Sequence, residues 1–361
     1  METFETLCSK LQNENSQERI YAVEDLVALN DTRAIKFLAE QVLEESTREV
    51  RETMLDALMT LCTSLLDPIV PLFHSSSAQI RNGAVVLLDA AGESLDRMVD
   101  TLSRDSNKDV RKFALDALKS KKSAAAISTL RAALNDEDMN VRMTAVEYLG
   151  GLEDRDSAPA ILAILSAKPP IMLTATCLEA LAKIKENEVS RKAIALINSP
   201  ETQPVLLFSY IKLLGQAGTA DYFSQIIALI HSQGAMLARE LIDAIEAICY
   251  RQKIRPLPDD MQKALHALFH TVNNPTLRFE IFNFLLQMEE TAMLPLVREQ
   301  LQSKDLMMQM ACVDALTSYG HAQDVQSLNA LLSTAKEEDL KDMISEAIDA
   351  INARVNKEAS L

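Results

Sequence analysis

The chain repeats an amphipathic motif with a period of roughly 30 residues, a length typical of α-solenoids built from helical pairs. In the clearest copy, residues 136–150 read DEDMNVRMTAVEYLG, and Arg142 marks a position that recurs along the whole chain. We call its equivalents the column positions: Arg19, Arg51, Arg81, Arg111, Arg142, Thr174, Leu206, Ala238, Arg278, Gln309 and Lys341. The spacing is nearly constant, with one longer interval between Ala238 and Arg278.

The second helix of each predicted pair has one apolar face. Apolar residues just before, three after and seven after each column position fall at i, i+4 and i+8, as Val141, Ala145 and Leu149 do. This spacing forms a single stripe along a helix. Prolines near the predicted starts of first helices agree, because a missing N–H costs little there; they are Pro68, Pro71, Pro159 and Pro295. The sequence therefore predicts an all-α solenoid, a superhelix of about eleven helical pairs.

The composition supports an all-helical protein and restricts its partners. The 361 residues include only 8 Gly and 11 Pro, and 4% are aromatic. The net charge of −16 opposes binding to nucleic acid or to an anionic membrane surface. The five cysteines are widely spaced and lie mostly in apolar runs, which predicts buried, reduced thiols. With no signal-like or membrane-spanning segment in the sequence, we expect a cytoplasmic protein.

Acidic residues precede several column arginines by six positions, at the predicted turn between the two helices. They are Glu45, Asp105 and Asp136. Such an acid can cap the second helix, or can pair with an arginine of its own or of a neighbouring repeat.

The pattern D-x-x-x-x-V-R-x-x-A-x-x-x-L, present as DSNKDVRKFALDAL and in residues 136–150, resembles HEAT repeats of the short bacterial kind called phycobilisome-lyase-like. The resemblance implies one solenoid over residues 1–361, regular over 1–200 and degenerate over 201–361. It also implies a scaffold or adaptor that binds proteins on a concave surface, in a bacterial regulatory or assembly system. An enzyme or enzyme subunit of the bilin-lyase-like type is the alternative.

The long interval between Ala238 and Arg278 predicts a loop insertion near residues 251–260. This stretch contains Pro256, Pro258 and a local basic cluster, Arg251, Lys253 and Arg255. A longer loop between helices is well tolerated in a solenoid. The alternative is a binding loop, since these cations are clustered in an acidic chain.

The sequence contains no recognisable arrangement of catalytic or metal-binding residues. His266 and His270 have the i, i+4 spacing of a metal pair, but no third ligand is evident nearby. Cys177 and Cys312 occupy the apolar stripe, and no Gly-rich phosphate loop, G-x-S-x-G or C-x-x-C motif occurs. The His-Glu dipeptides of HEAT-like di-iron hydroxylases are also missing. We therefore predict a non-catalytic protein with no metal and no cofactor.

Residues one and five positions after each column position lie opposite the apolar stripe, and we call them the displayed face. Eight of the eleven residues at the fifth position are Asp or Glu, including Glu147, Glu179, Asp243 and Asp314. This acidic row predicts attraction to a basic partner surface or helix. The alternative is charge that only keeps the protein soluble.

Apolar residues interrupt the acidic row. Leu207, Ile211, Phe279 and Met310 predict an apolar patch that engages an amphipathic helix or a second copy of the chain. The alternative is a change of register that buries them within the solenoid. The predicted partner-binding residues are Met143, Glu147, Glu179, Leu207, Ile211, Asp243, Phe279, Met310 and Asp314.

Overall fold

A computed structural model describes residues 2–62, 67–89, 95–197 and 204–359. Over these residues the protein has 21 α-helices and no strand, which confirms the predicted all-α fold. The chain divides into two compact units, Met1–Val189 and Ser190–Leu361. The predicted change from regular to degenerate repeats, at residue 200, lies outside the described residues.

The first unit is a series of helical pairs in which a shorter first helix precedes a longer second helix. Its helices are α1 (Phe4–Lys10), α2 (Ser16–Leu29), α3 (Ala34–Glu44), α4 (Arg48–Leu61), α5 (Val70–Phe73), α6 (Ala78–Asp89), α7 (Leu95–Leu102), α8 (Lys108–Asp116), α9 (Ala124–Ala133), α10 (Met139–Gly151), α11 (Ala158–Ser166) and α12 (Ile171–Ile184).

The second unit continues the same alternation of helices. They are α13 (Asn187–Leu196, in this unit from Ser190), α14 (Pro204–Ala217), α15 (Phe223–Gln252), α16 (Asp259–Thr271), α17 (Pro275–Glu289), α18 (Leu294–Gln300), α19 (Leu306–Tyr319), α20 (Asp324–Thr334) and α21 (Glu338–Ala359). In α15 a non-helical Leu237 (φ −115°, ψ 22°) separates the first and second helices of one pair without a loop.

Each column position lies in the second helix of a pair, so the predicted eleven pairs are confirmed. The apolar stripe is buried, as Val141, Ala145 and Leu149 in α10 show. Helix α10 packs against α9 of its own pair and against α8 and α12 of the neighbouring pairs. Prolines stand in the first turn of α5, α11 and α18, as predicted.

The column arginines of the first unit share one hydrogen-bonding scheme. Nη1 of Arg142 donates to the backbone carbonyls of Asp136 and Glu137, six and five residues earlier. Arg19, Arg51, Arg81 and Arg111 make the same pair of bonds in their own repeats. Each arginine therefore closes the turn that leads into its own helix, because its guanidinium donates to two backbone carbonyls of that turn.

The turn acids pair with the preceding repeat. Asp136 accepts from Arg111 at 2.8 Å through both carboxylate oxygens, and Glu45 accepts from Arg19 in the same way at 2.7 and 3.0 Å. The cap of α10 is Asp138, whose side chain accepts from the N–H groups of Asn140 and Val141. Of the roles predicted for the acids, pairing with a neighbouring repeat is the one observed.

The long interval between Ala238 and Arg278 does not contain a loop insertion, so this prediction is wrong. The connection from α15 to α16 is no longer than that from α10 to α11. Helix α15 instead continues past Ala238 to Gln252, and α16 has 13 residues where α11 has 9. The additional residues extend helices, because their apolar side chains, such as Ile248 and Leu268, are buried.

Among the described residues, no helix is long and apolar enough to cross a membrane.

Candidate protein-binding surface

In the first unit, the predicted residues of the displayed face lie at or near the surface. Glu147 is exposed, whereas Met143 and Glu179 are half-buried. Met143 and Glu147 line a shallow cleft of about 300 Å³ whose rim also carries Lys108 and Lys112. Lys108 Nζ lies 3.1 Å from the Asp138 carboxylate across this cleft.

Lysines of the same helices neutralise part of the acidic row in this unit. Lys112 lies 3.0 Å from Asp116 in α8, and Lys183 lies 3.0 Å from Glu179 in α12. Asp116 also accepts a hydrogen bond from the hydroxyl of Tyr148. Because these carboxylates already have partners within the chain, they offer little unpaired charge to another protein.

In the second unit, Asp243, Glu246 and Asp314 are exposed on α15 and α19. Within the described part of the chain, none of these carboxylates has a hydrogen bond or an ion pair. Partial burial raises the pKa of Asp243, and Glu280 and Glu240 raise it further, while Arg239 lowers it. Arg239 itself is paired with Glu280 at 3.0 Å. Burial and the neighbouring carboxylates together therefore disfavour the ionised form of Asp243.

These carboxylates line two adjoining clefts, which we call the unit-2 groove. The larger, of about 1260 Å³, is formed by α15, α17, α19 and the residues that follow α15; its lining includes Asp243, Glu246, Tyr250, Phe284, Met288, Asp314 and Tyr319. The smaller, of about 360 Å³, lies between α14 and α15; its lining includes Phe208, Ile211, Lys212, Arg239, Asp243 and Ala247. Asp243 and Ala247 line both clefts, so the two clefts adjoin along α15.

The basic cluster lines the larger cleft, but Arg251 is held by hydrogen bonds within the chain. Its Nη1 and Nη2 donate to the carbonyls of Gly215 and Gly218 at the end of α14, at 2.9 and 2.7 Å. Arg354 makes the equivalent bonds from α21 to the carbonyls of Leu316, Thr317 and Gly320. Both arginines stand at the same offset after the column positions of their helices. The extended helices α15 and α21 therefore each supply an arginine that caps the C-terminus of the preceding second helix, α14 and α19 respectively.

Leu207 and Ile211 are not displayed, and the prediction that they form an exposed apolar patch is wrong. Their side chains are 1% and 0% exposed. In α14 the exposed stripe is instead Val205, Phe208 and Lys212, one residue out of phase with the face exposed in α10. Helix α14 also buries Tyr210, whose hydroxyl donates to Gln225 in α15 at 2.7 Å. The alternative of a register change is therefore the one observed.

The other predicted partner-binding residues of the second unit differ in their exposure to solvent. Asp243 and Asp314 are exposed and lie in the larger cleft, whereas Phe279 and Met310 are half-buried and lie outside both clefts. Sequence reasoning missed Phe208, which is 49% exposed. A signal was present, because Lys212 is the only charged residue in α14 and must face water. Phe208 lies four residues before Lys212 and therefore on the same face of the helix.

The described residues contain no group of three or more His, Cys, Asp or Glu side chains that could hold a metal ion. Burial raises the pKa of Cys177 and of Cys312 to about 12. Their thiols are therefore protonated at neutral pH, which does not suit a nucleophile.

The helical pairs, the buried stripe and the displayed second-helix face define an α-solenoid. The family model for HEAT repeats matches residues 95–182, which cover α7 to most of α12. This part of the chain therefore consists of HEAT repeats, as the resemblance of its motifs implied. A comparison with curated protein sequences finds no significant match.

Solved structures support the same fold. Kap95p, in a structure that concerns its binding to RanGDP, superimposes with a TM-score of 0.53 at 11% identity, over 96% of this chain. Importin beta, crystallised in ammonium sulfate, superimposes with a TM-score of 0.50 at 14% identity, also over 96% of this chain. The protein spans 57% of the length of each of these chains.

A looser superposition, with a TM-score of 0.37, is found with the complex of CpcE and CpcF of phycocyanin lyase from Nostoc sp. PCC7120. It has 17% identity over 71% of this chain and 94% of that chain.

Proposed function

We propose that this protein is a non-catalytic scaffold that binds a protein partner on the displayed face of its second helices. The observation that supports the proposal is the unit-2 groove, which holds three exposed carboxylates without partners in the described part of the chain. A partner with basic side chains gains charge-assisted contacts with these carboxylates. The short, regular repeats of the first unit favour a bacterial regulatory or assembly system.

A partner of different sequence fits better than a second copy of the same chain. The net charge of −16 makes two copies repel each other. A basic or amphipathic helix, or an extended basic segment, complements the groove instead. Nucleic acid is disfavoured, because phosphates and these carboxylates repel each other.

Affinity capture from the source cell, followed by reconstitution with the purified partner, tests the proposal. We expect a direct complex at an ionic strength of about 0.1 M that weakens strongly at about 1 M, because the screening length falls from about 10 to about 3 Å. Failure to obtain any direct complex would count against a scaffold. A chromophore or metal that copurifies with the protein in stoichiometric amount would count against a non-catalytic role.

A further inference from the structure

The two clefts of the unit-2 groove differ in chemistry. The larger contains all three unpaired carboxylates, on α15 and α19. The smaller has walls of Phe208, Ile211, Ala244 and Ala247 and is mainly apolar. Since Asp243 and Ala247 line both clefts, a ligand that fills the groove meets a carboxylate and an apolar wall side by side.

The size of the larger cleft favours a polypeptide over a small molecule. Sites for small ligands usually have volumes of about 300 to 1,000 Å³, and they enclose the ligand. The larger cleft has a volume of about 1260 Å³ and is wide open, with Tyr250 at its edge 89% exposed. The rings of Tyr250 and Tyr319 offer flat surfaces to side chains of a bound segment.

Within the described residues, no cation pairs with these carboxylates, although Lys253 and Arg255 also line the larger cleft. Arg239 is already paired with Glu280, and Arg251 is held by the carbonyls of Gly215 and Gly218. Neither guanidinium is therefore available to Asp243. A lysine or arginine of a partner can supply the missing charge while its aliphatic stem lies along the apolar wall.

From these observations we propose that the unit-2 groove binds a segment of a partner protein in which a lysine or arginine lies within a few residues of a large apolar side chain. The basic side chain contacts Asp243 and Asp314, and the apolar side chain enters the cleft beside Phe208. This inference rests on the proposed scaffold function. It locates the binding site in the unit-2 groove and specifies the kind of partner segment that binds there.

Selection from a random dodecapeptide library displayed on phage tests the rule directly, because it does not require the partner to be identified first. We expect the wild-type protein to enrich peptides that contain Lys or Arg close to Leu, Met or an aromatic residue. A synthetic copy of an enriched peptide should bind the double variant Asp243→Asn, Asp314→Asn with a Kd raised about tenfold, and Phe208→Ser with a Kd raised about threefold, since exposed charge pairs and partly buried rings contribute modestly.

Asp56→Asn is the matched control, because Asp56 is exposed at the equivalent position of α4 in the first unit. It should leave the Kd unchanged. Circular dichroism and thermal unfolding of every variant show whether the fold is kept, as expected for substitutions at exposed positions.

Several outcomes would overturn the inference. They are the absence of any enriched peptide, enrichment of acidic peptides, equal binding by the double variant, and competition by spermidine as effective as that by the peptide. If a captured protein partner binds wild type and the double variant equally, the scaffold function stands and only this location fails. If capture yields no partner, the proposed function fails as well.

Discussion

Arg111 in one repeat and Asp136 in the next form a two-point ion pair, with Nε and Nη2 each 2.8 Å from a carboxylate oxygen. Arg111 is 6% exposed, and its Nη1 also donates to the carbonyls of Asp105 and Ser106. One side chain thus closes its own turn and joins two repeats. In a solenoid, stability depends on such contacts between nearest neighbours.

Replacement of Arg111 by alanine should therefore lower the free energy of unfolding of the first unit by about 3 kcal/mol, the cost of breaking a buried ion pair. Hydrogen exchange should show the loss of protection in α8 and α10. The control is Arg48→Ala, which removes an exposed pair with Glu52 and should change stability little. Equal effects of the two substitutions would contradict the role assigned to Arg111.

Adjacent glycines at the end of α10 should respond in opposite directions to alanine. A Cβ at Gly150 would lie 2.7 Å from the Cα of Ala180 in α12, whereas a Cβ at Gly151 meets nothing within 4 Å. Gly150→Ala should destabilise the first unit by about 1 to 3 kcal/mol through overpacking. Gly151→Ala should stabilise it by up to about 1 kcal/mol through helix propensity. Urea unfolding of both variants measures the difference, and a shared sign would contradict the close approach of α10 and α12.

Leu207 and Phe208 are neighbours in sequence with opposite burial, so they separate stability from binding. Leu207→Asp places a charge at a fully buried site and should lower the free energy of unfolding of the second unit by at least about 3 kcal/mol. Phe208→Asp should change it by about 1 kcal/mol or less, because half of the ring is exposed. Thermal unfolding measures both changes. Equal losses of stability would contradict the burial of Leu207 and the exposure of Phe208 in α14.

Acid should destabilise the second unit through Asp324. Burial alone would raise the pKa of this carboxyl, but hydrogen bonds from Arg298 and from the His321 N–H outweigh burial and hold the pKa below its ordinary value. The unfolded chain then binds more protons than the native protein as the pH falls. The contribution of Asp324 is therefore full above the unfolded pKa of about 3.9, and it is lost as the pH falls below that value.

The measurement is the melting temperature of wild type and Asp324→Asn from pH 7 to pH 3. The variant should be less stable at pH 7, and its melting temperature should fall less steeply between about pH 4 and pH 3. Parallel curves would show that Asp324 does not contribute to the pH dependence.

Thiol reagents should distinguish Cys8 from the other cysteines. Cys8 is half-buried, whereas Cys62, Cys177, Cys249 and Cys312 are buried. Burial raises the pKa of Cys62 and of Cys249 to about 11 and that of Cys177 and of Cys312 to about 12. At pH 8 we expect at most one thiol of the native protein to react with Ellman's reagent, against five after denaturation. Rapid reaction of two or more native thiols would contradict the packing described.

Local sequence patterns were sufficient for the architecture. The spacing of the column positions and the i, i+4, i+8 stripe predicted the eleven pairs, because a helix buries the face on which its apolar residues recur. Val141, Ala145 and Leu149 occupy the buried positions that this periodicity assigned to them. The displayed acids Glu147, Asp243 and Asp314 followed from the same helical geometry.

The same reasoning failed where a helix is apolar on nearly every side. In α14 the periodicity does not select one face, and contact with α15 buries Leu207 and Ile211 and leaves Phe208 at the surface. Similarly, the number of residues between Ala238 and Arg278 does not reveal whether the additional residues form a loop or extend the helices. The structure fills this interval with helix, and the extension carries Arg251 to the end of α14.

The sequence by itself determined that this protein is an all-α solenoid with an acidic displayed face, because the period and the charge pattern are local properties of the chain. Only the tertiary structure decided that Asp243 and Asp314 share a cleft. The physical reason is that these two residues belong to different repeats and are far apart in sequence. Only the packing of α15, α17 and α19 brings them to the same groove.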